Sequence, residues 1–160
     1  MIGVFDSGFG GLTVLASLAK ALPQYDYLFL ADSARAPYGA RSFEVVHEYT
    51  REAVSWLFDE GCTLVVLACN TASARALRTI QQRDLPSRWP DRRVLGVVRP
   101  SVEALAGLPP GAIPGETPPS DAAGVVAVLG TEGTIASDSY GIELRKLAPQ
   151  LRLVQQACPM

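Results

Sequence analysis

Short apolar runs alternate along the chain with longer stretches in which apolar residues return at roughly every third or fourth position. The runs Ile2 to Phe5, Tyr27 to Ala31, Thr63 to Ala68, Val94 to Val97, Val125 to Leu129 and Leu151 to Val154 are mostly rich in β-branched or aromatic residues and predict strands. Helical spacing covers Thr13 to Leu22, Ser42 to Glu60, Ala72 to Arg83, Val102 to Leu105 and Thr134 to Leu147. This βαβα order predicts an α/β fold, a parallel sheet with helices on both faces, which explains why the strands are apolar throughout. LPPGAIPGETPPSDAAG, residues 108–124, holds too much Pro and Gly for helix or strand and predicts a mobile surface loop. A strand-then-polar-turn rhythm shared by the two halves suggests two lobes, with a boundary near Gly96: residues 1–95, then 96–160 as the start of the second.

Composition narrows the class. With 48% hydrophobic and 19% charged residues and a net charge of -2, the chain reads as a soluble globular protein that needs no disulfide staples to hold a core. Lys and Arg form no long run, which argues against a nucleic-acid partner. The start, MIGVFDSGFGG, lacks a basic and apolar leader, and no apolar run approaches the roughly 18 residues that span a bilayer, so no membrane and a cytoplasmic location are expected. Cys62, Cys69 and Cys158 are odd in number and show no C-x-x-C spacing, which suits a reducing compartment. His47 is the single histidine, so no metal site is expected.

In open α/β sheets ligands bind beyond the carboxyl ends of the strands. The turns there are polar: Asp6-Ser7-Gly8-Phe9-Gly10-Gly11, Asp32-Ser33 running to Pro37-Tyr38-Gly39, Cys69-Asn70-Thr71, and Gly130-Thr131-Glu132-Gly133-Thr134. All should converge on one cleft. The first is not a dinucleotide fingerprint, because Thr13 stands where the third glycine would be. Its glycines suit a small anion at a helix N-terminus while Asp6 and Ser7 meet a cation, as an amino acid would require; the plainer alternative is a tight turn with Asp6 or Ser7 capping the helix. Cys69 should sit at a strand end just before a helix, where free N–H groups favour thiolate and suit a base or nucleophile; against this, a lone cysteine is more often core filler. Cys62 and Cys158 take that plainer reading, His47 that of a packed or surface residue, and Tyr49, Trp56 and Phe58 that of core. Arg35 and Arg41 flank Pro37-Tyr38-Gly39 and offer a carboxylate contact, although solvated loop arginines are commoner.

Taken in order, DSGFGGLTVL (6–15), DSARAPYGARS (32–42), VVLACNTASA (65–74) and LGTEGTIASDSY (129–140) resemble the motif series of glutamate racemases, in the aspartate/glutamate racemase superfamily. The resemblance implies a two-lobe fold of which this chain is the N-terminal portion. It implies cofactor-independent inversion of glutamate at its α-carbon, supplying D-glutamate for bacterial peptidoglycan, and weakly a homodimer. Cys69 would be one of two catalytic cysteines, with Asp6 also catalytic. Asp6, Ser7, Tyr38, Gly39, Asn70, Thr71, Thr131 and Thr134 would bind the amino acid or orient the thiol. The second cysteine of the family lies in a Gly-Cys-Thr-His-Tyr type motif that does not occur here, while Cys158-Pro159 resembles a non-catalytic strand end. Half the active site, and an inactive isolated chain, are therefore expected. A shortened non-catalytic amino-acid-binding relative and an aspartate racemase are the alternatives.

Overall fold

The computed structural model describes residues 1–116 and 121–158. Its elements run β1 (Ile2–Asp6), α1 (Gly11–Ala21), β2 (Tyr27–Ala31), α2 (Phe43–Asp59), β3 (Leu64–Leu67), α3 (Asn70–Arg75), α4 (Leu77–Thr79), a π-helical turn (Ile80–Asp84), α5 (Leu85–Arg88), β4 (Arg93–Gly96), α6 (Val98–Leu105), β5 (Val125–Gly130), α7 (Glu132–Ala136), α8 (Ser139–Leu147) and β6 (Arg152–Ala157). The strands form a four-stranded sheet ordered β2-β1-β3-β4 and a two-stranded sheet β5-β6. All pairings are parallel, with Asp6 beside Ala31, Phe5 beside Leu67 and Leu67 beside Gly96. The carboxyl ends of β1 to β4 thus lie on one edge, where successive turns deliver their polar residues.

Side chains alternate across a strand, so β1 serves both faces of its sheet. Ile2 and Val4 pack against Val14, Leu15 and Leu18 of α1. Phe5 packs on the other side with Val46, Val54 and Leu57 of α2. Gly3 faces α2 as well, and a Cβ there would come within 3.2 Å of Cys62 Sγ and Leu57 Cδ1. Burial on both faces accounts for the apolar central strands, while Leu95 on the edge strand β4 is exposed. The second sheet differs: α6 and α8 cover one side through Val102, Ala106, Leu144 and Leu147, while Val125, Leu129 and Val154 on β5 and β6 are exposed.

Two helices differ from the periodicity. The stretch expected over 72–83 begins at Asn70 and continues to Arg88 through the π-helical turn. Pro86 lies just beyond that turn and has no N–H to give to an α-helical ladder, which locates the irregularity. The helix expected over 134–147 is divided at Asp138, whose φ of 50° is left-handed. Asp138 is held there by Arg145 Nη2 at 2.6 Å and Gln155 Nε2 at 2.8 Å, both donating to its carboxylate. Trp56 is 43% exposed rather than core, because the buried stripe of α2 runs through Val46, Thr50, Ala53, Val54 and Leu57 and leaves position 56 off that face. Residues 108–116 form turns, with Ala112 buried in the second core, whereas 117–120 of the expected loop lie outside the described residues.

Candidate active site

Asp6 ends β1 at 7% exposure, and its Oδ2 accepts the Gly11 N–H at 2.9 Å. The capping role is therefore realised at the start of α1. Gly11 is glycine for a steric reason, since a Cβ would meet Asp6 Cβ at 2.6 Å. The next residue in the turn reaches across the edge: Ser7 Oγ lies 3.3 Å from Cys69 Sγ. Cys69 caps α3 with extended backbone, and its sulfur accepts the Ala72 N–H at 3.5 Å. One thiol thus meets a hydroxyl and a helix-terminal N–H. At 6% exposure it is close to dry.

Thr71, in the first turn of α3, faces the start of α7. Its Oγ1 is 3.0 Å from Thr131 Oγ1 and 3.4 Å from Thr134 Oγ1, and the latter two are 3.1 Å apart. Thr131 also caps α7 through Thr134 N–H, so the cluster joins the edges of both sheets. A main-chain bond reinforces the join, Gly133 N–H donating to the Gly39 carbonyl at 2.9 Å, while the Arg75 guanidinium ties α3 to the same loop through the Arg41 carbonyl at 2.8 Å. Tyr140 hydroxyl donates to Asn70 Oδ1 at 2.6 Å. All four turns singled out in the sequence therefore meet.

Tyr38 enters differently from the side-chain contact that the motif suggests. Its ring is 1% exposed, packed against Phe5 and Tyr49, and its hydroxyl donates to Asp32 Oδ2 at 2.5 Å. Burial, followed by that bond to Asp32, pushes the phenol far above the ordinary tyrosine range. Tyr38 is a support beneath the loop, and Gly39 reaches α7 through its carbonyl. Arg35 does not stand free for a ligand: Asp32 at 2.6 Å and Glu52 at 2.5 Å hold it over the Tyr49 ring. Arg41 donates to the Pro37 and Arg35 carbonyls.

Cys62 and His47 lie away from this cluster, whereas Cys158 N–H donates to the Gly130 carbonyl at 2.8 Å, beside Thr131 on the edge of the second sheet. Cys62 is fully buried against Gly3, and burial pushes its thiol pKa up. Cys158 follows β6 and is half-buried rather than core. His47, near the start of α2, is bonded to Asp84 at 2.9 Å and stacked on Phe43. Among the described residues, no three His, Cys, Asp or Glu side chains gather as a metal site, and no helix is long and apolar enough to cross a membrane. A groove of about 950 Å³ between Leu77, Arg78, Arg99 and Glu143 includes none of Asp6, Cys69 or Thr131. Sequence reasoning gave no role to Asp32, Ser73 or Tyr140. Ser73 accepts Val97 N–H and donates to Leu67 carbonyl, tying β4 to β3; Tyr140 closes the last motif, and that position was the available signal.

No family model matches the chain. A glutamate racemase of Dinoroseobacter shibae is 46% identical over 158 residues, 98% of this chain and 56% of that protein. Among solved structures, a glutamate racemase isoform of Bacillus anthracis superposes with a TM-score of 0.81 at 34% identity, over 99% of this chain and 53% of that one. A Francisella tularensis glutamate racemase in complex with D-glutamate does so with a TM-score of 0.78 at 29% identity, over 98% and 52%. The chain is homologous to glutamate racemases along almost its whole length and spans about half the length of the curated relatives it matches.

Proposed function

We propose, from that homology and from the Ser7–Cys69–Ala72 arrangement at the sheet edge, that this chain carries the Cys69 side of a glutamate racemase active site. The contact of Cys69 Sγ with Ser7 Oγ at 3.3 Å is the observation that carries the reading, since it aims a thiol into the polar edge. In this mechanism a thiolate at Cys69 takes the α-proton of glutamate, the C–H electrons remain on the substrate, and a donor on the opposite face delivers a proton to form the new C–H bond. A single base that stays on one face cannot invert the centre, so a second acid/base group is required. Asp6, Ser7, the Tyr38–Gly39 backbone, Asn70, Thr71, Thr131 and Thr134 would bind the substrate ammonium and carboxylates or hold the thiol. Their fixed dipoles would stabilise charge that builds on the carboxylate as the carbanion forms. No cofactor enters the scheme.

In this reading the lobes are residues 1–95 and 96–160, the product feeds peptidoglycan synthesis, and the protein works as a cytoplasmic homodimer with no nucleic-acid partner. Three free cysteines fit a reducing compartment.

The test uses the complete product of the reading frame that encodes these residues. Incubation with each enantiomer of glutamate in deuterated water should give racemisation together with α-deuterium, and Cys69→Ala should abolish both. Turnover of aspartate instead of glutamate would reassign the substrate. Turnover that survives Cys69→Ala, or none with either amino acid, would sink the proposal.

A further inference from the structure

We infer that Tyr140 is a positioning residue, whose phenol grips one end of the Asn70 carboxamide so that the other end faces the substrate carboxylate. The inference rests on the glutamate reading and deepens it. Asn70 is the residue after Cys69 and opens α3. A carboxamide has an acceptor end and a donor end on one planar group. Tyr140 hydroxyl occupies the acceptor end at 2.6 Å, and the Asn70 side chain is exposed at the edge, with no bond to Nδ2 among the described residues. Its two N–H groups remain for an anion.

The grip is built rather than incidental. Tyr140 stands in the first turn of α8, immediately after the left-handed residue Asp138 that separates α7 from α8. The neighbouring Ser139 hydroxyl donates to the Ala74 carbonyl at 2.7 Å, so the start of α8 is fastened to α3 at two points. The Tyr140 ring packs on the second core. Burial pushes the phenol pKa up, with the Ser101 hydroxyl pulling the other way, so the group keeps the proton it must donate. The orientation of a side chain on the first sheet is thereby set by a helix of the second.

The experiment measures glutamate racemisation in the complete product of the reading frame for Tyr140→Phe, Asn70→Ala and the double variant. Tyr140→Phe should raise KM roughly three- to tenfold, the worth of one hydrogen bond, with kcat within about twofold. In the Asn70→Ala background it should change KM no further, because the group it orients is gone. A packing role would instead add the two losses. In case Tyr140→Phe does not fold, 3-fluorotyrosine at position 140 gives a second measurement: its fluorine resonance should move when glutamate saturates the site and when Asn70 is replaced by Ala. Additive losses, or a fluorine signal indifferent to both changes, would overturn the inference. A wild-type protein with no glutamate turnover would instead count against the proposed function, and the fluorine response to Asn70→Ala would still report on the grip.

Discussion

At Asp6 one carboxylate serves two ends, a cap on α1 through Gly11 and a face on the polar edge, and substitution separates them. Asp6→Asn keeps an acceptor for Gly11 N–H, so the thermal midpoint should hardly move while the glutamate turnover proposed for the complete product of the reading frame falls sharply. Asp6→Ala removes the acceptor as well and should cost about 1 kcal/mol in denaturant unfolding. Wild-type turnover in Asp6→Asn would take Asp6 out of the site. Tyr38 gives a pH signature. Its folded pKa lies above the unfolded value, so its contribution is complete below about pH 10 and is lost as the pH rises further, where the unfolded chain gives up the proton first. Tyr38→Phe should be less stable at neutral pH by about 1 kcal/mol, the worth of the bond to Asp32, and should lose stability less steeply above about pH 10. Unfolding midpoints collected across that range, with equal slopes for both proteins, would refute this. Cys69 and the threonines were legible in the sequence because strand-end turns can be found from apolar runs. The burial of Tyr38 was not, because a Pro-Tyr-Gly loop gives no sign of which way its ring folds.

The strands of the first sheet fall within a residue or two of the runs that announce them; cover on both faces explains the unbroken apolar signal of the central β1 and β3, whereas Leu95 of the edge strand β4 is exposed. Helix boundaries were harder to read. The divide at Asp138 depends on Arg145 and on Gln155 of β6, partners that periodicity does not connect. The cover on only one face of β5 was equally hidden, because Val125 to Leu129 is as apolar as a buried strand. Element junctions offer a direct test at Gly11. In Gly11→Ala the new methyl must enter space 2.6 Å from Asp6 Cβ and 3.0 Å from Ala68 Cβ, both fixed to backbone. The variant should be destabilised by about 1–3 kcal/mol. Unfolding at the wild-type denaturant midpoint would show that the start of α1 is free to shift.

For the molecule as a whole, the polar edge depends on two sheets meeting. The proposed reaction needs a second proton donor opposite Cys69; of the candidates in this chain, His47 is bonded to Asp84, Cys62 is sealed behind Gly3, and Cys158 is tied through its N–H to the Gly130 carbonyl on the second sheet, with no bond to Cys69 or Ser7 among the described residues. The 160 residues alone should therefore leave both glutamate enantiomers optically unchanged in deuterated water; racemisation abolished by Cys69→Ala would mean that the second donor is among them. The meeting of the sheets runs in part through a main-chain bond, Gly133 N–H to Gly39 carbonyl, and a Cβ at Gly133 would come within 3.0 Å of the Gly39 carbonyl oxygen and of Arg75 Nη1. A saturation scan of the gene would accordingly find sensitivity at a junction residue with no side-chain chemistry to lose, and a search for functional sites by reactive groups would pass it by.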